Sequence, residues 1–425
     1  MLIMRRYRGL CLLLVVVSLC LSACKPDSAG DLSSALALQA AGEAEAMPEA
    51  DDAFSEPGWY KGDLHAHSTY SDGDSDVATV LQLAENAGLD FFVLTDHNTN
   101  AQWADGAYAQ GLYELTLLYG VEWTTDAGHA NIWSDAPFDW PTIRDQSMGA
   151  PVDEWTMTGG DAAAAIDLAH AQAGVSREVL FSLNHPSCAL YSWQYSYADS
   201  LQADCIEGWN AGYDWPNLNE LAMGDGLVPS FFDKYAQEGF KRGLKYALVG
   251  GSDSHKHKAN LGGTSWFETH FNNVGTPTTW VWAESQAGAD ILRGLKAGHV
   301  FISRSPRAPR LNLVADADAN ASDYELMMGD TIKLAAGQSR TVRFKARVFD
   351  AKPNVASWVR VIKNGKPFLV ANLSLAGDYT VDFTDTVKPG DYYRAELKQR
   401  PGADELLGNH LQSWTAAVTN PIYTW

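Results

Sequence analysis

Five polar clusters, each closing a short apolar run, constrain the fold of this 425-residue chain more than any other feature. They are Asp63-Leu64-His65-Ala66-His67-Ser68 followed by Asp72, Thr95-Asp96-His97, Gly120-Val121-Glu122 with Gly128-His129, Asn184-His185-Pro186, and Gly251-Ser252-Asp253-Ser254-His255. A strand projects alternate side chains from one face, so the rings of His65 and His67 can converge on one cation. A single pair of histidines is weak evidence, but the recurrence of clusters that contain histidines and carboxylates indicates a metal-dependent hydrolase.

The segments that carry these clusters alternate between strand-like and helix-like patterns. Tyr60–His65 and Asp90–Thr95 are apolar strand-like runs, and Val77–Ala87 between them has helical apolar spacing that ends at Gly88. Strands that alternate with helices favour parallel pairing, which places the polar clusters together at the C-terminal ends of the strands. The pattern predicts an α/β barrel, with irregularities, over residues 58–305.

The sequence pattern changes after Pro306, where short strand-like runs follow one another without helices. Thr341–Phe349, Trp358–Lys363 and Tyr392–Lys398 are examples, and Asn364-Gly365 is a hairpin turn signal. This pattern predicts a smaller β-sandwich over residues 306–425. A glycan-binding module and a purely structural one would share it, so glycan contact by this region is one of two open interpretations.

The N-terminus has the features of an export signal. Three arginines precede an apolar run, Leu10 to Leu21, which is too short to span a bilayer and has the length of a signal-peptide core. The run ends in Leu21-Ser22-Ala23-Cys24, which resembles a bacterial lipobox. An ordinary secretory signal with an incidental cysteine is the alternative.

The lipobox resemblance implies a lipoprotein signal peptide over residues 1–23 and a lipid on Cys24 that anchors the chain to a membrane. Lys25 favours the outer membrane, and we expect the body to face the periplasm. Residues 24–57 are rich in Ala, Glu, Asp, Ser and Pro, which is typical of a flexible tether.

The charge balance excludes one class of partner. The formal net charge is −21, and removal of the three signal-segment arginines would bring it to about −24. Nonspecific nucleic-acid binding needs clustered Lys and Arg, so we expect no nucleic-acid partner and a small-molecule substrate instead.

Two cysteines, Cys188 and Cys205, remain in the folded part of the chain. An exported compartment permits disulfides. A bridge that closes a loop of about 17 residues would contribute roughly 3 kcal/mol. We therefore predict a disulfide between them, with two buried thiols as the alternative.

A site with two neighbouring divalent ions needs several neutral imidazoles and a few carboxylates, one of which lies between the ions. The five clusters supply these ligand types: His65, His67, His97, His129, His185 and His255, with Asp72, Glu122 and Asp253. Glu122 is the natural bridge, because one carboxylate can offer an oxygen to each ion.

The order of these motifs resembles that of the PHP (polymerase and histidinol phosphatase) superfamily. The likeness rests on the run from Gly62 to His97, the Glu122/His129 pair, Asn184-His185-Pro186 and Gly251–His255. Gly275–Val281, Gly298–Ser303 and Thr419–Tyr423 resemble its carbaryl-hydrolase-like branch. The resemblance implies an irregular (β/α)7 PHP-type barrel that holds two or three divalent ions, Mn, Fe or Zn.

The resemblance also implies which residues share an ion. It assigns His65, His67, Glu122 and Asp253 to the first ion, Glu122, His129 and His185 to the second, and Asp72, His97 and His255 to the third. Many relatives have histidine where this chain has Asp72, and an oxygen ligand there favours Mn or Fe over Zn.

We expect such a site to hydrolyse small phosphate esters through a metal-bridging hydroxide, with Asp96 or a site histidine assisting the leaving group. Arg304 follows a predicted strand and could hold the substrate phosphate, although a solvated loop charge would look the same. The alternative activity is hydrolysis of carboxylic ester, carbamate or amide bonds at the same site. A non-catalytic, glycan-binding lipoprotein is a third interpretation, which the complete ligand set disfavours.

Overall fold

The computed structural model describes residues 45–46, 57–174, 177–188, 191–211, 226–227, 229–257, 273–318, 323–351, 356–373, 377–399 and 414–425. The signal segment 1–23, Cys24 and the tether 24–57, apart from Glu45–Ala46 and Pro57, lie outside these residues. No helix in the described part of the chain is both long enough and apolar enough to cross a membrane.

The first part of the chain contains strands and helices in alternation. In chain order these are β1 (Glu45–Ala46), β2 (Gly58–Asp63), α1 (Val77–Asn86), β3 (Phe91–Leu94), β4 (Thr116–Thr125), β5 (Gly128–Ser134), α2 (Trp140–Ser147), α3 (Ala162–His170), β6 (Val179–Leu183), β7 (Cys205–Asn210), β8 (Gly226–Leu227), α4 (Pro229–Phe240), β9 (Ala247–Gly251), β10 (Thr278–Ala283), α5 (Gly288–Ala297) and β11 (Val300–Ser303).

Local sequence explains where helix α1 begins and ends. The Asp76 side chain caps its first turn by accepting a hydrogen bond from the Thr79 N–H at 2.9 Å. The residues Val77, Val80, Leu81 and Ala84 recur at helical spacing and are buried. The helix stops at Gly88, which adopts a left-handed φ of 74° that a glycine accepts without strain.

The strands that lead into the polar clusters are hydrogen-bonded in one continuous order. Strands β2, β3 and β4 pair in parallel, as do β6, β7 and β9, and β5 runs antiparallel between β4 and β6. The segments beyond β2 and β9 also meet, because the Asp253 N–H donates to the His65 carbonyl and the His67 N–H donates to the Ser254 carbonyl. The C-terminal ends of the parallel strands and the N-terminal end of β5 therefore surround one small region.

The second part of the chain consists of strands. They are β12 (Arg310–Asp316), β13 (Leu326–Met327), β14 (Thr331–Ile332), β15 (Arg340–Ala351), β16 (Ser357–Lys363), β17 (Lys366–Leu373), β18 (Gly377–Val387), β19 (Tyr392–Gln399), β20 (Trp414–Thr419) and β21 (Ile422–Thr424). The order β1-β18-β15-β12-β13 forms one sheet, and β19 and β20 belong to the large sheet of the first part. Side chains from both sheets, such as Phe344 and Leu397, share a core.

The predicted hairpin at Asn364-Gly365 is confirmed. Strands β16 and β17 pair antiparallel on either side of it, and the two turn residues have positive φ angles of 53° and 75°. The mixed α/β class is also confirmed, whereas the finer barrel and sandwich designations and the boundary at residue 305 stay predictions.

The last twelve residues connect the second part of the chain to the first. Strand β20 pairs with β11, which lies beside β10 in the first part. The buried Asn420 side chain accepts from the Leu248 N–H and donates to the Leu248 carbonyl, both at 2.7 Å, and donates to the Val300 carbonyl at 3.0 Å. Asn420 thus completes backbone hydrogen bonding at β9.

The predicted disulfide is wrong, because the structure contains no bond between Cys188 and Cys205 and both are buried. Cys205 begins β7 and pairs with Ser182 inside the parallel β6–β7 ladder. Cys188 lies beyond the end of β6, in the turn that follows His185. Both cysteines are therefore buried thiols, and burial raises the pKa of Cys205 well above its usual value.

Candidate metal centre

The structure brings all nine expected metal ligands into one cluster. The side chains of His65, His67 and Glu122 are fully buried. Asp72 is the most accessible member, with 41% of its side chain exposed, and it marks the side on which the cluster opens to solvent. The cluster is therefore buried on one side and accessible to solvent on the side of Asp72, which we call its rim.

The two oxygen atoms of Glu122 face different sets of imidazoles. Its Oε1 atom lies 3.3 Å from each of three nitrogen atoms, His65 Nε2, His129 Nδ1 and His185 Nε2. Its Oε2 atom lies 2.7 Å from His97 Nδ1 and 3.6 Å from His67 Nε2. A carboxylate with this placement can bridge two ions.

Asp253 and Asp72 are the other two carboxylates of the cluster. Asp253 Oδ1 lies 3.1 Å from His67 Nε2 and 3.3 Å from His65 Nε2. Asp72 Oδ1 lies 3.1 Å from His255 Nε2 and 3.6 Å from His97 Nε2. His255 Nδ1 also lies 3.5 Å from Asp253 Oδ1, and His67 Nδ1 lies 3.8 Å from Asp72 Oδ1, so each carboxylate contacts three imidazoles, as a shared ligand can.

Four groups in the cluster have ligand atoms within 4.8 Å of one another. They are His67, Asp72, His97 and His255; His65, His67 and Asp253; His65, Glu122 and His185; and His97, Glu122 and His129. The first group contains all three residues that the family resemblance assigns to the third ion. The assignment of residues to individual ions stays a prediction.

The backbone around two of these residues is strained. His185 and Asp253 have φ angles of 25° and 50°, in the left-handed region that side chains other than glycine seldom adopt. Such strain concentrates at functional sites, where the surrounding structure holds it. Gly251 permits the close packing beside them, since a Cβ there would lie 2.4 Å from His65 Cβ and 2.7 Å from Glu207 Oε1.

Sequence reasoning missed a buried carboxylate, Glu207, that contacts two of the expected ligands. Its Oε1 lies 2.9 Å from His65 Nδ1, and its Oε2 accepts from the His185 N–H at 2.9 Å. Asn210 donates to Glu207 Oε2 at 3.0 Å and to Asp253 Oδ2 at 3.2 Å. The available signal was a charged residue inside the short run Cys205–Asn210, which forms β7.

Asn184, next to His185, was also missed as a supporting residue. Its amide donates to Glu122 Oε1 at 2.9 Å, and its carbonyl oxygen accepts from the Asn131 N–H at 3.2 Å. Partners of this kind fix the orientation of ligand side chains, and their loss weakens metal binding.

Burial and mutual charge perturb the pKa values across the cluster. Burial works against ionisation of Glu122, but the charges of His97, His65 and His129 outweigh it and hold the pKa of Glu122 well below its usual range. Burial and the neighbouring charges of His255 and His97 lower the pKa of His67 to about 3. A neutral imidazole is the form that binds a metal.

The residues present fit a group of divalent ions. Four buried atoms of the cluster make no hydrogen bond of acceptable geometry with any residue that the structure describes: His65 Nε2, Glu122 Oε2, His129 Nδ1 and His185 Nδ1. Leaving buried polar atoms unsatisfied costs free energy. Imidazole nitrogens together with carboxylate oxygens are ligands suited to Zn, Mn or Fe.

Asp96 precedes His97, and its buried carboxylate accepts three hydrogen bonds. The donors are the Ser68 N–H and the Ser68 and Ser71 hydroxyls, each at 2.8 Å. Burial raises the pKa of Asp96, although these donors oppose the shift. These contacts hold the turn that follows His67, so they favour a positioning role, while the catalytic role of Asp96 stays a prediction.

Arg304 follows β11 as expected, but its donors are engaged elsewhere. Its backbone N–H donates to the Ala416 carbonyl at 2.8 Å. The guanidinium donates to the Thr415 carbonyl through Nε at 3.1 Å and through Nη2 at 2.7 Å. These bonds tie Arg304 to β20, and its contact with a substrate phosphate stays a prediction.

Comparison with solved structures gives distant likenesses. The chain matches no protein-family model and no curated protein. A two-domain protein from Bacteroides vulgatus, described as containing a predicted PHP-like metal-dependent phosphoesterase, aligns over 85% of this chain and 94% of its own at 14% identity and a TM-score of 0.39. A candidate metal-dependent phosphoesterase from Bifidobacterium adolescentis aligns over 50% and 90%, at 15% identity and a TM-score of 0.33. At these TM-scores the likenesses carry no argument about fold or activity.

Proposed function

We propose that this protein is a metal-dependent hydrolase of the PHP type, with an irregular (β/α)7 barrel over residues 58–305 and a β-sandwich over 306–425. Its preferred reaction is hydrolysis of small phosphate esters. Nine residues hold two or three divalent ions: His65, His67, Asp72, His97, Glu122, His129, His185, Asp253 and His255.

One observation carries this proposal, namely the position of the Glu122 carboxylate. It is fully buried, and each of its oxygen atoms faces a different set of imidazole nitrogens. A buried carboxylate needs compensating positive charge, yet a metal-ligating imidazole is neutral. Divalent ions would supply that charge.

The chain's own residues would orient the site. Ions bound there would activate water and stabilise charge that develops on the scissile group. Glu207 would fix the His65 ring through Nδ1, so that Nε2 faces the centre. Asn184 would hold Glu122 in its bridging position, and Asp96 would hold the turn beside His67.

Hydrolysis of carboxylic ester, carbamate or amide bonds is the second candidate. The observation that favours it is the engagement of the Arg304 guanidinium with the Thr415 carbonyl. A phosphate ester benefits from a convergent guanidinium, whereas a neutral carbonyl substrate gains little from one.

A substrate panel tests the proposed reaction. The full chain, loaded with Mn, Fe or Zn, would be assayed with phosphomonoesters, phosphodiesters, aryl carboxylic esters and carbamates. We expect turnover of a phosphate ester that is lost in Glu122→Ala and retained in Glu114→Ala, which changes an exposed carboxylate. Turnover of carbonyl substrates alone would favour the second candidate, and no turnover of any substrate would refute the hydrolase proposal.

The export features define a second part of the proposal. The lipobox resemblance supports a lipid anchor at Cys24 and a location at the outer membrane facing the periplasm. Replacement of Cys24 by Ser should abolish lipid labelling and release the protein, because acyl chains supply the membrane affinity. A Cys24→Ser variant that remains fully membrane-bound would refute this. Glycan contact by residues 306–425 rests on the strand pattern alone.

A further inference from the structure

Tyr191 lies at the rim of the metal centre with its ring exposed. It is one of three large apolar side chains that are strongly exposed in the described part of the chain, at 46% of its surface. Its ring lies against the ring of His129, with centroids 5.3 Å apart and planes tilted by 33°. His129 in turn faces the bridging carboxylate of Glu122 at 3.3 Å.

The Tyr191 side chain is open to solvent beside the cluster. No described residue forms a hydrogen bond with its hydroxyl, and its ring lies against the ring of His129, one of the expected ligands. The exposed part of the ring therefore borders the cluster.

A second exposed apolar side chain, Val152, lies in a segment bound to the residue after His97. Val152 is 53% exposed, and its N–H donates to the Thr156 carbonyl at 2.8 Å. The same segment is tied to the site by a hydrogen bond from the Asn98 amide to the Trp155 carbonyl at 2.8 Å. Scattered apolar side chains are normal on a protein surface. Tyr191 differs from a scattered surface residue because its ring contacts His129.

The chain beyond Tyr191 is fixed to the scaffold. The Trp193 N–H donates to the Pro186 carbonyl at 3.0 Å, and the Gln194 N–H donates to the Ala127 carbonyl at 2.8 Å. The Trp193 ring also packs on Gly128, where an added Cβ would lie 2.9 Å from it. These contacts anchor the segment against the turn between β4 and β5, so the Tyr191 ring has a defined support.

We propose that the Tyr191 ring is a specificity-determining platform that receives a flat, ring-bearing group of the substrate while the reacting group lies at the metal centre. The proposal rests on the proposed function for the position of the reacting group. The exposed part of the Tyr191 ring supplies the apolar contact surface, and flat rings stack on such a surface in offset or tilted geometry.

Equilibrium binding tests this platform without requiring turnover. Phenylphosphonate and methylphosphonate carry the same metal-binding group and differ in the ring, and neither is hydrolysed. Calorimetry on the Mn-loaded full chain should show that Tyr191→Ala weakens phenylphosphonate binding by about tenfold, in line with aromatic contact free energies. Methylphosphonate binding should change by less than about twofold, and Tyr191→Phe should bind both ligands as the wild type does.

Leu112→Ala is the matched control, because Leu112 is 61% exposed and lies before the start of β4, away from the cluster. Equal effects of Tyr191→Ala on both phosphonates, or no effect on either, would overturn the platform, as would a Tyr191→Phe variant as weak as Tyr191→Ala. Wild-type protein that binds phenylphosphonate no more tightly than methylphosphonate would overturn it too. Ring-dependent binding without turnover of any ester would support the platform while refuting the proposed hydrolase.

Discussion

Replacement of Glu207 by Gln probes how the site controls its own ligands. The carboxylate now accepts on both sides, from His65 Nδ1 at 2.9 Å and from the His185 N–H and the Asn210 amide at 2.9 and 3.0 Å. A glutamine has one accepting and one donating end. If its oxygen serves His185 and Asn210, its NH₂ group faces His65 Nδ1, which then has to accept.

That reversal moves the His65 proton to Nε2, the atom that faces Glu122 and the centre at 3.3 Å. A protonated Nε2 cannot bind a metal. The opposite orientation of the glutamine would instead set its NH₂ group against two donors. Either arrangement should weaken metal affinity by about 10- to 100-fold, which corresponds to about 1.4–2.7 kcal/mol.

The assay is competition for Mn or Zn between the full-length protein and a chromophoric chelator, with circular dichroism to check that the fold is retained. Glu114→Gln is the matched control, since the Glu114 side chain is exposed. We expect wild-type affinity for the control and the predicted loss for Glu207→Gln. A folded Glu207→Gln variant that binds metal within twofold of the wild type would refute the orienting role.

Two further predictions concern stability. Asn420→Ala removes three side-chain hydrogen bonds to Leu248 and Val300, so urea unfolding should show that the free energy of unfolding falls by about 1–3 kcal/mol. The control is Asn372→Ala, which changes an exposed residue. An Asn420→Ala variant as stable as this control would contradict the role of Asn420. For Glu396, burial works against ionisation, but Arg394, Lys398 and Arg360 outweigh it and lower its pKa to about 2; because the folded pKa lies below the unfolded one, its contribution is present above about pH 4.5 and is lost as the pH falls toward 2. Urea unfolding at pH 5 and pH 3 should therefore show a smaller acid-induced loss for Glu396→Gln than for the wild type, and equal losses would contradict this.

The expected ligands could be predicted from the sequence because most of them lie at or near the end of a short apolar run. Strand ends that share an edge bring such residues together, so the positions of His65, Glu122 and Asp253 in the sequence were sufficient to predict one cluster. The same reasoning could not find Glu207 or Asn184, because one polar residue in or beside a strand has many ordinary explanations. Their function depends on contacts with residues far away in the chain.

Contacts between residues far apart in the chain also account for the other differences between the sequence predictions and the structure. The spacing between Cys188 and Cys205 permits a bridge, but the fold buries them as two separate thiols, one beyond the end of β6 and one at the start of β7. Arg304 was placed at a strand end correctly, while its bonds to Thr415 depend on the pairing of β11 with β20, more than one hundred residues along the chain. Nothing local in the sequence indicates that pairing.

The most direct test of the proposed metal centre is the metal content of the purified protein. Elemental analysis of full-length protein prepared without chelator should find at least two divalent transition-metal ions per chain, and Glu122→Ala should lose them together, because both oxygen atoms of Glu122 face ligand imidazoles. Wild-type protein that binds no ion under metal-replete conditions, or a Glu122→Ala variant that keeps its full complement, would contradict the account.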